Sequence, residues 1–163
     1  MTTENPYAAP QAPVADVPSL DPAPPLWNPN AAASWSLLFT PTFGAILHMK
    51  NWRAMGEPAK AATSKKWAIG SLIFFFLIVI VAVALPDSKA LDRISRFASL
   101  ALLLVWYFAS GKAQNGIVIA RFGKNYPRKG WLKPLLLALL AVIGFFVAAV
   151  IVGTIIGFLK RVA

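Results

Sequence analysis

Apolar residues gather in four blocks along the chain, separated by short polar stretches. The second block, residues 67–85, runs 19 residues without a charge and carries Phe74, Phe75 and Phe76 at its centre. At 1.5 Å per residue it covers roughly 28 Å, about the thickness of the hydrocarbon layer of a bilayer. The fourth block, residues 135–159, is 25 residues long, roughly 37 Å, and spans with room to tilt. Pro134 suits the first turn of that helix. The third block, residues 97–111, is short by itself. Ahead of it Leu91, Ile94 and Phe97 recur at helical spacing opposite Asp92, Arg93 and Arg96. This amphipathic lead-in predicts a span over 91–111, its arginines reaching back to the interface. The helical pattern runs on past Lys112 through Ile117, Val118 and Phe122, and Gly123 predicts its end.

The first block, residues 31–49, is less regular. Asn28 as cap and Pro29 at the first helical position predict a helix start. Ser34, Ser36, Thr40 and Thr42 dilute the block, and Pro41 with Gly44 interrupts it. A Pro-kinked spanning helix fits its 19 residues and is the preferred expectation. The alternative is a re-entrant hairpin turning at Thr40–Gly44, whose freed backbone groups protein or water must satisfy. Ahead of this block, residues 1–30 hold eight of the thirteen prolines, with Ala between them. Proline at that density denies both helix and ladder bonds, so a disordered Pro/Ala-rich tail is expected. It lacks the basic and apolar regions of a signal peptide. Pro24-Pro25 and Tyr7 are its natural docking handles.

The fold class that follows is an all-α integral membrane protein: three transmembrane helices plus a fourth Pro-interrupted span or re-entrant segment, in a small helical bundle. Composition agrees. Hydrophobic residues make up 58% of the chain and charged residues 13%, where soluble domains run nearer 45–50% and 25%. The absence of cysteine excludes disulfides, thiol catalysis, Cys-ligated metal and a lipoprotein anchor.

The net charge of +10 sits in the connections. Loop 50–66 holds Lys50, Arg53, Lys60, Lys65 and Lys66, and loop 112–133 holds Lys112, Arg121, Lys124, Arg128, Lys129 and Lys133. These are eleven of the sixteen basic residues, and the bias of Lys and Arg toward cytoplasmic loops places both loops in the cytoplasm. With four spans both termini lie outside; with a re-entrant first segment the tail stays inside. An orientation signal, rather than nucleic-acid binding, accounts for the charge. Trp35, Trp52, Trp67 and Trp131 near span ends read as an interfacial belt.

Little catalytic chemistry is available. No Asp or Glu falls within a predicted span, and paired carboxylates, phosphate-binding glycine loops and a nucleophile elbow are absent from the sequence. His48 is the sole histidine and is expected to hydrogen-bond at the interface. One imidazole without further ligands builds neither a metal site nor a triad. No catalytic residue, cofactor or metal is therefore assigned. What remains favours association. Ala149, Gly153 and Gly157 recur every four residues in the last span, with Gly144 and Ala148 as a second pair, a spacing that lets helix backbones approach closely within the monomer or against a partner. Arg128, Lys129, Trp131 and Lys133 mix charge with an indole at the interface and form a candidate patch for anionic lipid.

Three stretches carry a resemblance: Asn5-Pro6-Tyr7-Ala8-Ala9-Pro10, Asn51-Trp52-Arg53-Ala54-Met55-Gly56-Glu57-Pro58, and Phe122-Gly123-Lys124-Asn125-Tyr126-Pro127-Arg128-Lys129-Gly130-Trp131. They resemble uncharacterised small inner-membrane proteins of proteobacteria. The resemblance implies a bacterial inner-membrane address and transfers no activity. The functional expectation is a small, non-catalytic interaction or accessory protein that associates with a membrane partner or with itself, toxin immunity being one such role. A channel or transporter subunit lined by Pro41–Gly44 is the alternative.

Overall fold

The computed structural model describes residues 22–85 and 88–162. The expectation of an unstructured tail over 1–21, and the stop at Pro86-Asp87, lie outside the described residues. The elements in order are α1 (Pro29–Ala54), α2 (Pro58–Ala84), α3 (Lys89–Trp106), a π-turn (Tyr107–Gly111), α4 (Lys112–Phe122) and α5 (Leu132–Val162). From α3 to α4 the chain is one continuous helix of 34 residues. Among the described residues three helices are long and apolar enough to cross a membrane: Pro58–Ala84, Lys89–Phe122 and Leu132–Leu159. The chain is an all-α membrane protein.

The first apolar block does not make a fourth span. Residues 29–38 and 41–54 are two arms of a helical hairpin, which corrects the preferred spanning expectation in favour of the re-entrant alternative. The Nε2 of His48 lies 3.0 Å from the carbonyl of Pro29, 19 residues away. A straight helix would hold them roughly 28 Å apart. The turn is made by Phe39 (φ −109°, ψ 15°) and Thr40 (φ 70°, ψ 161°). Thr40 is the one non-glycine residue with positive φ among those described. A β-branched residue there is strained by about 1–3 kcal/mol. The sequence enforces it: Pro41 drives the residue before it to an extended ψ and restarts the helix as its first residue.

The start of α1 follows the expected cap. The Oδ1 of Asn28 accepts from the backbone N–H of Asn30 and Ala31, with Pro29 at the first position. The arms close tightly because the facing residues are small. Ala32, Ala33, Ser36, Gly44 and Ala45 are all buried, and a side chain at Gly44 would run into Ser36 Oγ and Trp106 Cη2. The hairpin leads into α2 through Gly56 (φ 74°), where the Glu57 N–H reaches back to the Trp52 carbonyl at 2.9 Å. Positive φ there calls for glycine, and Pro58 then opens α2.

Every other helix touches α1. Along α2 the Thr42 and Ser71 hydroxyls meet at 2.8 Å. The hairpin therefore accompanies roughly the first 20 Å of α2, from Pro58 to Ser71, and leaves roughly 20 Å beyond its tip. Leu37 and Leu38 at the tip are 69% and 71% exposed, as suits residues facing lipid. Two small cores result. One joins Ala33, Ala45, Ala68 and Trp106 between the arms, α2 and α3. The other, at the end carrying the basic loops, joins Leu26, Trp52, Met55, Ala61, Val118 and Tyr126. Trp52, expected in an interfacial belt, is thus a core residue. Leu26, expected in the tail, is fully buried.

The π-turn has a packing role. In a regular helix Gln114 would sit about 80° around the axis from Trp106. The extra residue of a π-turn makes eight positions behave as seven. Trp106, Gly111, Gln114 and Val118 then form one buried stripe facing α1.

Candidate functional site

The polar groups of the chain converge where the hairpin enters and leaves. Asn51 belongs to the last turns of α1, and its amide pairs with the backbone of Trp27, just ahead of α1. The Trp27 N–H donates to Asn51 Oδ1 at 3.0 Å, and Asn51 Nδ2 donates to the Trp27 carbonyl at 2.8 Å. The same Nδ2 donates to Gln114 Oε1 at 3.2 Å, while Gln114 Nε2 donates to the His48 carbonyl at 2.9 Å. Asn51, Gln114 and His48 are fully buried. Each amide thus has its oxygen and nitrogen assigned by partners that only donate or only accept. The clasp ties three segments, the strap before α1, the end of α1 and α4, by bonds that exclude a straight α1.

The strap, residues 22–28, is held on its other side by the loop before α5. Leu26 N–H donates to the Pro127 carbonyl at 3.0 Å and the Leu26 carbonyl accepts from Lys129 N–H at 2.9 Å, a parallel bridge. Trp27 Nε1 donates to the Gly130 carbonyl at 3.1 Å. Two of the stretches singled out in the sequence, 51–58 and 122–131, therefore meet across the strap.

His48, expected to hydrogen-bond at the interface, is fully buried within the protein. Its Nε2 carries the proton, because the Pro29 carbonyl can only accept. Its ring stands 5.5 Å from that of Trp106, and neither His48 Nδ1 nor Trp106 Nε1 has a hydrogen-bond partner among the described residues. Among the described residues no group of three or more His, Asp or Glu could hold a metal ion.

The candidate lipid patch is split. The Arg128 guanidinium lies over the Tyr126 ring at 5.5 Å and donates to the Lys124 carbonyl at 3.3 Å. Lys129 lies over a different ring, its Nζ 4.5 Å from the centre of the Trp27 ring. Lys50 Nζ lies 5.8 Å from that same ring, a convergence the sequence did not signal. Trp131 is half-buried and Lys133 exposed. The small residues of α5 divide likewise. Gly144, Gly153 and Gly157 have open space where a Cβ would stand. Ala148 and Ala149 line an apolar groove of about 520 Å³ that α5 forms with α2 residues such as Phe76 and Val83, beyond the hairpin tip.

The Pro41–Gly44 element is used up by the fold. Pro41 and Gly44 are buried, Thr42 is paired with Ser71, and Ser34 donates to its own helix at the Asn30 carbonyl.

No protein-family model matches the chain, and neither does any curated protein or solved structure.

Proposed function

We propose that the chain is a non-catalytic bacterial inner-membrane protein that acts by association within the bilayer, with α5 as the associating helix. The observation that carries this reading is the state of α5. None of its apolar window is buried by the rest of the chain, and its main contact is with α1. Gly153 and Gly157, four residues apart and so on one face, have open space where a Cβ would stand. A second membrane helix, from another copy or another protein, fits that face by close backbone approach, since association in lipid depends on packing rather than on hydrophobic burial.

The orientation follows from charge. The strap and the two basic loops share one end, so Pro22 lies beside loops 50–66 and 112–133, which the charge bias assigns to the cytoplasmic side, and α5 ends on the opposite side. The Thr42 hydroxyl is paired with Ser71, and Pro41 and Gly44 are buried, which favours a packing role over a conduction path for that element. Photo-crosslinking in native membranes tests the reading. A crosslinker at Gly153 yields a discrete adduct, whereas one at Leu100, exposed on α3, does not. Absence of an adduct from every α5 position overturns it.

A further inference from the structure

We infer that Lys50, Lys129 and Trp27 form a binding site for the phosphate headgroup of an anionic phospholipid. The three residues come from the end of α1, the loop before α5 and the strap, and only the folded chain brings them together. Both ammonium groups stand over one indole, at 5.8 and 4.5 Å, so their nitrogens are no more than about 10 Å apart. An indole face attracts an ammonium group but accepts no conventional hydrogen bond, so it leaves the donors of both lysines available.

No carboxylate competes for them among the described residues at that end. Glu57 is the one acid there, and it is bound to Lys60 at 3.2 Å and Arg121 at 3.8 Å. Two like charges over one ring, with no counter-ion among the described residues, favour an anion. The position favours a lipid over a soluble anion. Ile46 is exposed one helical turn below Lys50 on the same face of α1, and Leu132, three residues after Lys129, is 74% exposed. An acyl chain has apolar surface directly beneath the headgroup, and Trp27 sits where indoles prefer to lie. This site is independent of α5 and of its association.

The test is native mass spectrometry of the purified full-length protein in detergent, with added phosphatidylglycerol against phosphatidylcholine. The expected result is one tightly bound phosphatidylglycerol. The pair K50Q/K129Q lowers its affinity roughly 30-fold, at about 1 kcal/mol per lysine. The pair K65Q/K66Q removes the same charge from the same end and changes affinity by less than about threefold. Millimolar inorganic phosphate does not displace the lipid. Equal losses in the two pairs, equal binding of both lipids, or displacement by phosphate would each overturn the proposal. So would tighter lipid binding on E4Q/D16N/D21N, which would assign the site to the chain's own acidic tail.

Discussion

Replacing Asn51 by leucine tests whether the clasp holds the hairpin. The substitution keeps the volume and apolar contacts of a buried position and removes its three hydrogen bonds. It leaves the Trp27 N–H, the Trp27 carbonyl and the Gln114 amide oxygen without partners. Leaving a buried polar group unsatisfied costs about 1–3 kcal/mol, and leucine returns part of this through its own burial. A net loss of about 3–5 kcal/mol follows. At about 3 °C per kcal/mol for a chain of this size, the melting transition falls by roughly 10 °C. Intrinsic tryptophan fluorescence in detergent reports the transition, since Trp27, Trp52 and Trp106 all lie at or near the clasp. Gln114→Leu alone is expected to cost about 2–3 kcal/mol, and the double variant less than the sum, because both singles break the same bond. A loss below about 1 kcal/mol for Asn51→Leu, or strict additivity in the cycle, would refute the assignment of the clasp as the hairpin's fastening.

Three further outcomes are expected. Gly44→Ala forces a methyl group against Ser36 and Trp106, both buried, and is expected to destabilise by about 3 kcal/mol in the same melting assay; a neutral result would mean the arms are not in contact. Thr40→Gly relieves the positive φ at the turn and is expected to raise stability by about 1 kcal/mol after its own entropy cost, where a straight helix would lose that much. Because the native chain has no cysteine, single cysteines at Asn30 and Lys50, both exposed, report topology cleanly. Both are expected to react with a membrane-impermeant maleimide from the same side, and labelling from opposite sides would restore the spanning helix.

The spans were legible because a run without charge, such as Trp67–Leu85, has one reading at that length. The cap at Asn28 and the end at Gly123 were legible because each depends on local chemistry. The hairpin was legible only as the alternative reading, from Pro41 and Gly44, because its two arms together have the length and apolarity of a single span. What separates the readings is a contact between Trp27 and Asn51, which no local pattern encodes. The stripe Trp106, Gly111, Gln114 and Val118 was hidden for a different reason. Its steps are five, three and four, and the extra residue in the first step breaks the helical period that would have revealed it. Asn51 and Gln114 fall within loops 50–66 and 112–133 and carry no local sign of burial, which comes from segments far away in the chain. Leu26-Trp27 gave a signal that went unused: two large apolar residues inside a proline–alanine tail mark a place where the tail docks.

The hairpin that stops partway also sets the outline of the molecule. Among the described residues five helical segments share the end with the basic loops, while three continue to the other. Two added helices of roughly 10 Å diameter enlarge the cross-section on one side by on the order of 150 Å². Such a body is a wedge. It displaces more lipid from one leaflet than from the other, so it is accommodated best where the bilayer bends toward its narrow end. Its neighbours in the membrane meet a broad flank at the charged surface and a slender one beyond it.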